Sequence, residues 1–168
     1  MLFRSVMGYN LEIGNAKPFH SKEHDELCAG WEIEIVENDD APVAINDINE
    51  KKNIRWPSYT AWNEFSRACG LHDLFFNKPN GLFHQHPGCV LLKQHHHTKI
   101  LSALQKWRLT STQPAGFNDD DIFDHETKKW IPPPNAIQYD YTLARLHWLE
   151  YWVKWALENC ETPAFSNS

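Results

Sequence analysis

The segment 136–160 constrains this chain more than any other. It reads as one long helix stopped by Thr162-Pro163, with Asn135 and Gln138 imitating a capping box at its start. Tyr141, Ala144, Trp148, Trp152 and Trp155 recur at helical spacing and define one stripe. Leu146, Leu149, Val153, Ala156 and Cys160 define the next. Together the stripes cover more than half of the circumference, so the helix belongs at the centre of a core or against a partner. Arg145, His147, Glu150 and Lys154 interrupt it too often for a membrane span.

The segments that pack against this helix are written in a different period. In Tyr9-Asn10-Leu11-Glu12-Ile13 and in Trp31-Glu32-Ile33-Glu34-Ile35, apolar and polar residues alternate. Period two puts Trp31, Ile33 and Ile35 on one face and the glutamates on the other. A sheet with one wet side is expected to be antiparallel. A second helix starts near Pro57-Ser58, carries Tyr59, Trp62, Phe65 and Cys69 on one face, and ends at Gly70. Lys78-Pro79-Asn80-Gly81 is a turn. A third helix covers about His95 to Arg108, with Ile100, Leu101, Leu104 and Trp107 as its buried stripe. From Thr110 to Pro134 the chain is a polar insert bounded by the prolines at 132–134, which favour an extended backbone. The expected architecture is a single α+β domain over residues 1–168: a small antiparallel sheet on about three helices, the Trp-rich C-terminal one the longest.

Composition narrows the function. The net charge of -6 argues against binding an extended nucleic-acid backbone, which needs clustered Lys and Arg. No run of 18 apolar residues predicts a membrane helix. The start, MLFRSVMGYN, lacks the features of a secretory signal, so a cytoplasmic location is expected. Cys28, Cys69, Cys89 and Cys160 are far apart and show no CxxC spacing. They read as reduced thiols that pack as small apolar residues.

Three histidine- or acid-rich strings carry possible chemistry. HQHPGCVLLKQHHH, residues 84–97, holds five of the ten histidines. His84, His86, Cys89 and His95 are the candidate ligands for a transition metal, zinc first. The spacing matches no structural zinc pattern, and the plainer reading is a Pro87-Gly88 turn with exposed imidazoles. His20-Ser21-Lys22-Glu23-His24 spells HxxEH, an inverted zinc-peptidase signature, on a stretch too short for its helix. Asp119 to Asp124 contains DDxxD, which reads as an exposed acidic loop. There is no GxSxG, Walker loop or GxGxxG. Cys69 near His72, and Cys89 near His84 and His86, are candidate Cys–His pairs, with buried structural cysteine the plainer reading.

Eight tryptophans is a high count for 168 residues, and rings outside the regular elements are candidates for a contact surface. Trp56, Tyr59, Trp62 and Trp130, with Asp120 and Asp121, are the candidates for an aromatic, acid-rimmed surface that docks on a partner protein. The expected function is therefore that of a small acidic protein-binding module, of the kind that serves as an inhibitor, immunity or counter-defence protein. The alternatives are a metal-dependent hydrolase, with His84 and His86 as ligands and His95 or His97 as a third, and a binder of nucleotides or sugars that stacks them on Trp and Tyr rings.

Overall fold

The computed structural model of the protein describes residues 8–18, 31–43, 51–83, 85–116, 122–131 and 138–168. Its architecture is α+β: a curled antiparallel sheet packed against helices, with a long helix near the C-terminus.

Strand β1 (Leu11–Pro18) organises the sheet. Along one side it pairs with β2 (Trp31–Ile33) at one end and with β3 (Ile54–Arg55) at the other. Along its other side runs β7 (Pro163–Asn167), and β7 in turn pairs with β4 (Gly88–Leu91). All these pairings are antiparallel. The final residues thus lie in the middle of the sheet, where Ala164 and Phe165 are buried. The sequence pattern stops the last helix at Thr162-Pro163 and marks no strand after it. That proline does stop the helix, but it also opens β7, whose missing N–H falls at the first residue of the strand.

Alternation holds in β1, where Leu11 and Ile13 face the helices and are fully buried. It fails for the second strand. Ile33 is 3% exposed, but Trp31 is 41% exposed and Ile35 44%. The reason is length. The strand ends at Ile33, and Trp31 sits opposite Pro18 at the outer corner of the sheet. Beyond the strand, a buried Asn53 ties the chain down: its Nδ2 donates to the carbonyls of Ile13 and Glu34, both at 2.8 Å, and its Oδ1 accepts from the Val36 N–H at 2.7 Å.

The helices match the apolar periods. Helix α1 (Tyr59–Ala68) has Ser58 as its N-cap, accepting from the Ala61 N–H at 3.1 Å, and Gly70 takes a φ of 77° just beyond its end. A five-residue helix α2 (His72–Phe76), unmarked in the sequence pattern, buries Leu74 and Phe75. Helix α3 (Gln94–Thr110) buries Ile100 and Leu104 and packs along α4 (Tyr141–Asn159). Helix α4 also lies on β1 and β7. Both of its expected stripes point inward, with Trp148, Trp152, Leu146, Leu149, Val153 and Ala156 fully buried. Its N-cap is Asp140, accepting from the Leu143 N–H at 2.8 Å, rather than Asn135, which lies outside the described residues. The Trp107 Nε1–H and the Ser111 hydroxyl also donate to Asp140, at 2.7 and 2.6 Å. Within the polar insert, β5 (Ile122–Asp124) and β6 (Lys129–Ile131) form a hairpin. Among the described residues no helix is long and apolar enough to cross a membrane.

Candidate functional site at the outer edge of β4

Two residues singled out in the sequence for different reasons meet in space. Tyr59 opens α1, and its hydroxyl lies 3.1 Å from Nε2 of His86, an exposed residue two positions before β4. Nδ1 of His86 lies against Oδ1 of Asn167, the last residue of β7. The protons follow from the partners. Asn167 uses Nδ2 to donate to the Gln85 carbonyl at 3.0 Å, so its Oδ1 is an acceptor. His86 therefore carries a proton on Nδ1, and in the neutral imidazole its Nε2 lone pair accepts from the Tyr59 hydroxyl. Tyr9 walls this chain. Its ring stacks on Phe83 with centroids 4.4 Å apart and meets Tyr59 and His86 edge-on at 4.6 and 5.1 Å. Burial, then the neighbouring Tyr59, raises the Tyr9 phenol above its usual range. The arrangement is an oriented imidazole with a phenol on its basic nitrogen, half open to solvent.

Beyond the other end of β4 lies a groove of about 530 Å³. Val90 and Leu91 of the strand line it, together with Asp73 and Leu74 of α2, Asn77, Pro79 and Asn80 of the turn, and Lys93, His95, His96 and Lys99 around the start of α3. Its lining carries two lysines against the one carboxylate of Asp73, on a chain whose net charge is -6. His96 lies in its wall with Nδ1 accepting from the Lys93 N–H at 2.9 Å, which caps α3. Burial, with the nearby charges of His95, Lys99 and Lys93, pushes His96 down to about 4, so it stays neutral at physiological pH.

The groove borders an unpaired sheet edge. The Leu92 N–H donates to the Pro163 carbonyl at 2.9 Å, which sets the alternation along β4. Val90, opposite Phe165, turns its backbone groups toward β7, so Leu91 turns its N–H and C=O outward. Leu91 is 56% exposed, and among the described residues no strand pairs along this side of β4.

The other expected sites come apart. Trp62 is fully buried, packed on Phe65 and Phe75 at 4.8 and 5.3 Å between centroids, so it is a core residue and offers no contact surface. Trp56 is half-buried between β3 and α1, Trp130 lies in β6, and Asp120 and Asp121 lie outside the described residues. Of the four candidate metal ligands, His84 also lies outside them. The remaining three point to different neighbours. His86 is engaged by Tyr59 and Asn167. Cys89 packs with Ala16, Ile33 and Ala164 on the sheet face away from α4. His95 stacks on His96 with centroids 4.0 Å apart. Among the described residues no three His, Cys, Asp or Glu side chains gather around one point. The HxxEH string and the first two aspartates of DDxxD lie outside the described residues, and the rest of DDxxD forms β5. Burial raises the Cys69 thiol to about 11, against any role as a thiolate nucleophile beside His72.

Sequence reading missed Asn167, Leu91, Lys93 and Lys99. The available signal was Val90-Leu91-Leu92, a short apolar run after Gly88 that closes on Lys93. Comparison with protein-family models, with curated proteins and with solved structures finds no match to this chain.

Proposed function

We propose that the protein is a docking module that takes an extended, acidic segment of a partner protein as an added strand along the outer edge of β4. One observation carries this reading: an outward-facing, exposed Leu91 backbone stands beside a groove rimmed by Lys93, His95 and Lys99. Strand addition draws affinity from main-chain hydrogen bonds and specificity from alternate side chains that enter pockets beside the edge. The lysines favour carboxylates on the incoming segment and disfavour a basic one. The contact would rest on Lys93 and Lys99, opposite in sign to the acid-rimmed surface expected from the sequence.

The test is selection from a displayed library of random peptides against the intact protein. The selected peptides are expected to be acidic and rich in β-branched residues. Leu91→Pro removes the outward N–H without touching the ladder to β7, and an edge position tolerates it. It is expected to weaken the selected peptides about tenfold or more, an edge hydrogen bond and its register being lost. Peptides whose binding is indifferent to Leu91→Pro and to Lys93→Glu, or a library that yields none, would overturn the proposal.

A further inference from the structure

Arg55 is the most anomalous residue of the fold. It sits in β3 opposite Leu11, on the sheet face that meets the helices, and is 0% exposed. Its guanidinium lies between two indole rings, with Cζ 5.5 Å from the centroid of Trp62 on α1 and 5.1 Å from that of Trp148 on α4. None of Nε, Nη1 and Nη2 has a hydrogen-bond partner. Trp62 Nε1 is buried without an acceptor as well, and so is Nε of Arg145, whose charge acts on Arg55.

Two ordinary explanations fail. Contact with indole faces offsets only part of the cost of burying an unpaired charge. A guanidinium does not escape by shedding its proton in a protein. Nor does a carboxylate of the described residues pair with Arg55. The orphaned atoms on Arg55, Trp62 and Arg145 are all donors. A water molecule would accept from them but would bring two hydrogens of its own and no charge. A negatively charged species that only accepts hydrogen bonds answers both demands.

We propose that Arg55 and Trp62 hold a compact monovalent anion of halide size in the core between β3, α1 and α4. Full burial of Arg55 sets the size, since a larger oxyanion would have to displace the rings that sandwich it. Arg145 supplies the second positive charge. It is half-buried on α4, its own Cζ is 5.8 Å from the Phe65 centroid, and the charges of Tyr141 and of the exposed Glu64 act on it. This site is independent of the groove beside β4.

The test is thermal unfolding of the full chain at fixed ionic strength, with sodium gluconate replaced stepwise by sodium chloride or bromide. A saturable rise is expected, reaching roughly 2–4 °C when the halide stands about fivefold above half-saturation. Arg55→Met keeps the bulk of the side chain without the charge, and is expected to melt at one temperature in all the salts. Should that variant not fold, Trp62→Phe retains Arg55 and the ring, and is expected to move half-saturation to several-fold higher halide. Crystals grown in bromide are expected to show an anomalous peak at hydrogen-bond distance from Arg55. A response that never saturates, a saturable response that survives in Arg55→Met or keeps its half-saturation unmoved in Trp62→Phe, or bromide crystals without that peak would overturn the proposal and leave water as the partner of the guanidinium.

Discussion

At the scale of single residues, Asn53 does the work of a short stretch of sheet. One buried amide satisfies two carbonyls and one N–H in two other segments, β1 and the stretch after β2, and no apolar side chain replaces that. Asn53→Ala is expected to cost about 3 kcal/mol, because three buried backbone groups lose their partner at once. Asn53→Asp is expected to cost more, since it turns a carboxylate toward the Ile13 and Glu34 carbonyls. Urea unfolding of both variants checks the order. His96 gives a residue-scale prediction in pH. Its folded value of about 4 lies below the unfolded value near 6.5, so the native state binds fewer protons between them. Its contribution is complete above pH 6.5 and is lost as the pH falls toward 4. His96→Gln is expected to remove about 1–2 kcal/mol of that acid-side loss, solvent screening of a ring at the groove wall included. Stability measured at pH 7 and pH 4.5 in both proteins gives the difference directly. Neither residue stood out in the sequence. Asn53 is a lone polar residue in Lys51-Lys52-Asn53, and His96 is one of three consecutive histidines whose burial depends on where α3 meets the groove.

At the scale of elements, legibility depended on length. Helix α4 carries five turns of apolar period, so its two stripes were readable residue by residue, and α1 was readable from Ser58 to Gly70 because cap, stripe and stop agree. The start of α4 was misplaced because Asn135 and Asp140 both look like caps. Asp140 is reached by Trp107 and Ser111 from the end of α3, a contact that no local pattern records. Apart from β2, which alternation marks, elements of three to five residues are not legible. Strands β4 and β7 each begin at or beside a proline and are too short to show alternation, and α2 is little more than one turn. Strand β7 nevertheless carries the sheet, with β1 on one side and β4 on the other. Phe165→Ala is expected to cost about 3–5 kcal/mol, the usual penalty for a fully buried ring, and to loosen both ladders together. Hydrogen exchange should then show amides of β1 and β4 losing protection in parallel. Loss confined to β7 would mean that the strand is an appendage rather than the centre.

At the scale of the whole molecule, the distribution of charge separates the docking proposal from a merely hydrophobic edge. A chain of net charge -6 repels an acidic peptide at long range, whereas Lys93 and Lys99 attract it at short range. The two fields respond differently to salt. At an ionic strength of about 0.01 M the Debye length is roughly 30 Å and the repulsion spans the molecule, and near 0.15 M it is about 8 Å and only the groove lysines remain in reach. Association of an acidic β4-edge peptide is therefore expected to speed up at first as salt is added, and to slow once the lysines themselves are screened. Lys93→Glu with Lys99→Glu should remove the second phase and leave a rate that only rises with salt. An edge that binds through Leu91 and backbone groups alone predicts the same rising curve in the unaltered protein. Stopped-flow measurement of the association rate across this range distinguishes them, and a parent protein with no falling limb would leave strand addition standing while removing charge as its selector.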